Sequence, residues 1–152
     1  MNIFRQRSER GDRGAAAVEF ALVVPVLLLI VIGILNFGFV LAQQLSLNNA
    51  ARQAARYSVV DDRTCDQIKT EGMLAAETVG MSVSAGTVPT PVVTNCGAGT
   101  VKPCAGTAAN TNITVTMTRT GSANNWMITF PPFNLIAVPI VKGTGVMRCE
   151  FS

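Results

Sequence analysis

Four cysteines are the residues of this 152-residue chain whose types and spacing most readily support chemistry. They are Cys65, Cys96, Cys104 and Cys149. An even number of cysteines in an oxidising compartment predicts disulfide bonds, and four cysteines allow three pairings. Cys96 and Cys104 bracket a loop rich in glycine and proline, so we expect these two to pair and Cys65 to pair with Cys149. A zinc site is the alternative, but the C-x₂-C spacing typical of such sites is absent from the sequence.

Catalytic residue patterns are missing from the rest of the sequence. There is no histidine, which removes the commonest general base and the commonest metal ligand. No nucleophile–base pair, metal-ligand spacing or phosphate-binding loop stands out. We therefore expect a protein that is not an enzyme and that uses no cofactor and no metal. The net charge is only +3 and forms no basic stripe, so no nucleic-acid partner is expected.

An apolar run from Phe20 to Ala42 dominates the N-terminal third, and Asn36 is its only polar residue. As a helix this run would span about 34 Å, enough to cross a hydrocarbon core of about 30 Å. Four arginines precede it, so the positive-inside rule predicts a cytoplasmic N-terminus in a bacterial inner membrane and a periplasmic domain over residues 43–152. A secretory signal ending at Ala42 is the alternative, although the run exceeds the usual apolar region of about 7–15 residues.

A short motif lies at the entrance to this run, where Arg13 and Gly14 are followed by small or apolar residues, then by Glu19 and Phe20. It resembles the processing site of the type IV pilin superfamily, in particular its tight-adherence (Tad/Flp) branch. The resemblance implies that a prepilin peptidase cuts between Gly14 and Ala15. It also implies that Glu19 and Phe20 set the register between subunits, with Glu19 paired to the new N-terminal amine of a neighbour. Taken alone, Glu19 is better explained as an interfacial carboxylate that extends to water, and the motif around it is what favours the pilin role.

Residues 13–56 as a whole resemble the N-terminal module of TadE-like proteins, which are minor pilins or pseudopilins of the Tad system. The C-terminal sequence from Gly145 to Glu150 is also similar to the C-terminal sequence of such proteins. The length of the chain suits TadE or its relative TadF. The resemblance implies a role in assembling a Tad pilus for adherence. Its implied partners are the prepilin peptidase, the major pilin, other minor pilins, the inner-membrane assembly platform and the membrane. A single-pass binding or sensory protein without a filament role is the alternative.

The whole pattern predicts a pilin-like α+β fold in three segments: a leader over 1–14, a long helix over 15–60 that is embedded in the membrane at about 19–42, and an extracytoplasmic domain over 61–152. Beyond the membrane, one side of the helix is expected to pack on this domain. That side carries small or apolar residues at a spacing of three or four, namely Leu47, Ala50, Ala51, Ala54, Ala55 and Ser58.

The outer domain is expected to contain a second helix over 65–82 and a small antiparallel sheet. The predicted apolar side of this helix consists of Ile68, Leu74, Ala75 and Val79. A strand over 112–118 alternates, with Ile113, Val115 and Met117 on one face. Further strands are predicted at 126–130, 136–141 and 146–151, with one more suggested at 90–94.

Overall fold

The computed structural model describes residues 9–60, 63–97, 99–108, 110–120 and 139–149. The chain divides into two compact units, Met1–Phe37 and Gly38–Ser152. One long helix contributes its residues 9–37 to the first unit and its residues 38–58 to the second. The second unit also contains a shorter helix and a three-stranded antiparallel sheet. This arrangement confirms the predicted α+β class, with a long N-terminal helix and a small antiparallel sheet.

The elements are, in chain order, α1 (Glu9–Ser58), α2 (Cys65–Ala75), β1 (Val92–Val93), β2 (Asn112–Arg119) and β3 (Val141–Arg148). Helix α1 is described from Glu9, six residues before the predicted start, because residues 9–14 contain no proline and Gly11 and Gly14 alone do not stop a helix. It ends two residues before the predicted end. At that end the Ser58 hydroxyl donates a hydrogen bond of 2.6 Å to the carbonyl of Ala55, which competes with continued helix bonding.

The predicted packing side of α1 is confirmed within the second unit. Leu47 and the four alanines of that side are fully buried, and Ser58 is nearly so. Leu47, Ala50 and Ala51 pack with Met117 and Val141 in one apolar cluster. In a second cluster, Ala54 and Ala55 pack with buried residues of α2 and of all three strand regions, namely Ile68, Val93, Ile113, Val115 and Cys149. Because alanine projects little beyond the backbone, the sheet can approach this side of the helix closely.

Two glycines of β3 lie very close to the backbone of α1. A Cβ added at Gly143 would overlap the backbone of Leu47 and Asn48, and one added at Gly145 would overlap that of Ala51. Glycine usually weakens a strand, but it is required where another backbone comes this near. The one-turn spacing of Leu47 and Ala51 matches the two-residue spacing of the glycines, so β3 lies directly on the helix.

Replacing Gly145 with alanine is expected to destabilise the second unit by about 2–3 kcal/mol, because the new Cβ would lie 2.7 Å from the backbone nitrogen of Arg52 and the packing could relax only by separating β3 from α1. Thermal unfolding of the full chain in detergent measures this as a lower melting temperature. Gly97→Ala is the matched control, because its Cβ would meet only Val101 Cγ2 at an ordinary 3.7 Å. Equal melting temperatures for the two variants would contradict the packing described here.

The sheet has the order β1-β2-β3, and both pairs of neighbours are antiparallel. The predicted alternation in β2 is confirmed, since Ile113, Val115 and Met117 are fully buried. Of the strand suggested at 90–94, only Val92 and Val93 form a strand, which is β1. The separate strands predicted at 136–141 and 146–151 were wrong in their bounds, because β3 continues through Gly143 and Gly145. The strand predicted at 126–130, and residues 136–138 of another, lie outside the described residues.

Helix α2 begins as predicted but ends seven residues early. Thr64 caps its N-terminus: the Thr64 side chain accepts from the Gln67 backbone, and the Gln67 side chain accepts from the Thr64 backbone. After Ala75 the chain turns, with Thr78 and Met81 paired and Gly80 at a φ of +77°. The predicted apolar side is therefore correct for buried Ile68 and wrong for Leu74 and Val79, which are 53% and 68% exposed.

Candidate functional site

The predicted processing and assembly residues all lie on the exposed surface of α1. Gly14, Ala15, Glu19 and Phe20 are exposed, and a Cβ added at Gly14 would meet no atom within 4 Å. Ala15 and Glu19 are four residues apart on one helix, so they share a face. The Gly14–Ala15 bond lies inside α1 rather than before it, so its carbonyl is held in helical geometry. A peptidase could reach this bond only after the helix unwinds locally.

The apolar surface from Val18 onward is largely exposed within the first unit. Most of its large apolar side chains are between 42% (Val31) and 71% (Leu22) exposed, while Val24 and Ile32 are half-buried. Those more than half exposed are Val18, Phe20, Leu22, Val23, Val26, Leu27, Ile30, Ile34 and Phe37. An apolar surface of this size is unfavourable in water and marks contact with lipid or with other proteins. The helix over Gly14–Ser58 is long and apolar enough to cross a membrane. No residue in its most apolar stretch of 18 residues is buried.

All four cysteines form disulfide bonds, but in a different pairing from the one predicted. Cys65 is bonded to Cys96, and Cys104 to Cys149. The backbone N–H of Cys65 donates to the carbonyl of Val101, which brings the loop after Cys96 to the start of α2. Cys149 continues β3 and donates to Thr111. Local sequence proximity had favoured pairing Cys96 with Cys104, whereas the fold brings each of them to a different element.

Gln43 and Gln44 are two polar residues that the sequence reasoning did not single out. Gln43 is fully buried, and neither its side-chain nitrogen nor its oxygen has a hydrogen-bond partner in the described part of the chain. It lies beside the turn at Gly80. Gln44 instead makes two hydrogen bonds to the backbone of Lys142 at the start of β3. The sequence could have predicted that Gln43 is buried, because positions 43, 47 and 50 continue the three-to-four spacing of the buried side of α1.

Arg119 is another polar residue in an inward position, at the last residue of β2. Its side chain is 7% exposed, and removal from water lowers the pKa of its guanidinium. It lines an open polar pocket of about 340 Å³ together with four threonines, Thr87, Thr90, Thr118 and Thr120. None of the described residues that line this pocket is a histidine, a cysteine or a carboxylate. Across the described part of the chain, no group of three or more histidine, cysteine, aspartate or glutamate side chains could hold a metal ion.

Taken together, these features define a chain with an exposed apolar helical segment in its first unit and two disulfide bonds in its second. Residues 14–56 match the model of the TadE family, described as TadE-like protein. This match confirms the resemblance seen in residues 13–56. No curated protein and no solved structure matches the chain. The family match covers the processing motif, the apolar run and the packing side of α1, and ends before α2. The matched segment is therefore similar to the corresponding part of TadE-like proteins, and it contains the apolar run that is long enough to cross a membrane.

Proposed function

We propose that this protein is a minor pilin or pseudopilin that takes part in assembling a Tad pilus for adherence. It acts without catalysis of its own. The observation that supports this role best is the position of the TadE-like match, which begins at Gly14 and includes the whole exposed apolar surface. In this account the helix is held first in the inner membrane, with residues 1–14 in the cytoplasm and the disulfide-bonded domain in the periplasm. The same apolar surface is then buried among other pilus subunits.

Processing is the first step of the proposal. A prepilin peptidase cuts between Gly14 and Ala15, which removes the arginine-rich leader and creates a new amino group at Ala15. Gly14 assists because glycine destabilises a helix interior by about 1 kcal/mol relative to alanine, which favours local unwinding at the bond to be cut. Its open surroundings leave room for the peptidase to reach the backbone.

Assembly is the second step. Glu19 is exposed in the single chain, at the edge of a surface that carries no other carboxylate as far as Ser58. When that surface is buried, an unpaired carboxylate would be costly. The new amine at Ala15 of a neighbouring subunit offsets its charge and sets the register. The major pilin, other minor pilins and the assembly platform are the partners that this step requires.

Replacing Glu19 with glutamine tests the assembly step, because it keeps the shape of the side chain and removes its charge. Leaving a buried amine without its carboxylate costs about 3–5 kcal/mol. We therefore expect the amount of the protein in sheared pili, or the number of pili if it only initiates assembly, to fall at least about tenfold. Immunoblots of the sheared and membrane fractions measure both quantities.

Two results give that experiment its control. Glu19→Asp retains the charge and is expected to retain a larger part of assembly than Glu19→Gln. All variants should reach the membrane in equal amounts, because the apolar run is unchanged. If piliation were the same with glutamine as with glutamate, the protein would be better described as a single-pass binding or sensory protein without a filament role.

A further inference from the structure

The hydrogen-bonding pattern of β3 leaves one edge of the sheet open. In an antiparallel ladder, the N–H and C=O of a residue point to the same side, and successive residues alternate. The N–H and C=O of Lys142 both bond to the side chain of Gln44 and therefore point away from β2. The same alternation directs the backbone groups of Thr144, Val146 and Arg148 away from β2. Cys149 points back toward β2, where its N–H donates to Thr111.

This edge has no backbone partner beyond Gln44 in the described part of the chain. The N–H and C=O of Thr144, Val146 and Arg148 have no backbone partner among the described residues, and all three residues are exposed, Val146 by 52%. A strand edge of this kind is a template for pairing with another chain. Proteins commonly protect such edges with a proline or a bulge, and β3 has neither. Gln44 occupies one end and leaves the rest available.

The two charged residues of β3 are both positive. Lys142 and Arg148 are exposed at its two ends, and neither makes an ion pair with another residue that the structure describes. The outward residues of the neighbouring strand are uncharged, namely Asn112, Thr114, Thr116 and Thr118. No carboxylate among the described residues neutralises this edge, so it attracts a negatively charged partner.

A second copy of the same edge is a poor partner. Antiparallel pairing along the full length of two β3 strands would place Lys142 of each copy opposite Arg148 of the other. Like charges directly opposite each other destabilise a sheet. The central residues Thr144 and Val146 suit the β-branched side chains of an added strand. The edge therefore matches a strand with apolar or threonine residues at its centre and carboxylates near its ends.

We propose that the open edge of β3 binds an extended acidic segment of another protein as a fourth strand. Backbone hydrogen bonds from Thr144, Val146 and Arg148 hold this segment, and its carboxylates pair with Lys142 and Arg148. The interaction does not depend on processing at Gly14 or on a role in a pilus. It would supply a specific contact through the outer domain, separate from the contacts of the apolar helix.

Two capped peptides test this in titrations of the full chain in detergent micelles. One is Glu-Thr-Val-Thr-Val-Thr-Glu, whose ends can face Lys142 and Arg148, and the other has lysine at both ends. We expect the acidic peptide to bind at least tenfold more tightly than the basic one. We also expect it to slow hydrogen exchange at the amides of Thr144 and Val146. Equal binding of the two peptides, binding of neither, or protection confined to other strands would overturn the proposal.

Val146→Pro separates edge pairing from simple charge attraction. Proline removes an N–H that points away from β2, so no hydrogen bond within the sheet is lost. Acidic-peptide binding should fall at least tenfold in this variant and persist in Val146→Thr, which keeps the N–H. If the proline variant does not fold, the double variant Lys142→Glu, Arg148→Glu provides the test. Because its charges are reversed, it should bind the basic peptide more tightly than the acidic one. Undiminished binding by a folded proline variant, or an unchanged preference in the charge variant, would refute the proposal.

Discussion

Replacing Cys104 and Cys149 together with alanine is expected to lower the free energy of unfolding of the outer domain by about 4 kcal/mol. The two cysteines are 45 positions apart, so their bond removes much of the freedom of the unfolded chain. It also fastens the end of β3 to the loop beside Ser58, since the Cys104 sulfur lies 3.8 Å from the Ser58 carbonyl. Small domains have net stabilities of about 5–15 kcal/mol, so this loss would remove a large part of the total. Denaturant unfolding of the full chain in detergent measures it.

A different cysteine pair distinguishes the observed pairing from the one that the sequence suggested. Replacing Cys96 and Cys104 with alanine takes one partner from each observed bond and should leave two free thiols, on Cys65 and Cys149. Had those two residues been bonded to each other, the same variant would contain no free thiol. Alkylation of the unfolded, unreduced protein followed by mass measurement counts them. A count of zero would contradict the pairing in the structure.

Replacing Gly14 with valine is expected to leave nearly all of the chain uncut. The branched side chain fills the open space beside the bond and stiffens the backbone that must unwind. Loss of processing should reduce the mature fraction at least tenfold and remove the protein from pili, while its amount in the membrane stays the same. The intact mass of the membrane form measures the mature fraction.

Gly33→Val is the matched control for that substitution. Gly33 also lies in α1 with no atom within 4 Å of an added Cβ, but it is far from the bond to be cut. Its variant should be processed as the unchanged chain is. Normal cutting of the Gly14 variant, or equal loss in both variants, would contradict the specific role of Gly14.

Most of the fold that could be predicted from the sequence was predicted from the periodic spacing of apolar residues. The spacing of Leu47, Ala51 and Ala54 fixed the packing side of α1, because a helix repeats every 3.6 residues and only one side can meet a sheet. The alternation in β2 identified its inward face for the same kind of reason. The TadE-like segment was also recognisable, because its basic leader, glycine, carboxylate and apolar run are local features.

The features that were missed depend on contacts between distant parts of the chain. Gly143 and Gly145 fall between the two strands predicted at 136–141 and 146–151, yet they are the residues that allow one continuous strand to lie on α1. The disulfide pairing depends on two backbone hydrogen bonds between distant residues, from Cys65 to Val101 and from Cys149 to Thr111. The spacing of the cysteines along the sequence does not predict these contacts. The open edge of β3 was also hidden, because the direction of its backbone groups is set by the register with β2.

The mass of the N-terminus of the chain, isolated from the membranes of the organism that makes it, tests the central proposal most directly. The pilin-like account predicts that the mature chain begins at Ala15, with residues 1–14 removed. An intact Met1 in all of the protein would contradict it and favour a plain membrane anchor. A chain that begins at Gln43 would contradict it as well, since the apolar run would then be a secretory signal.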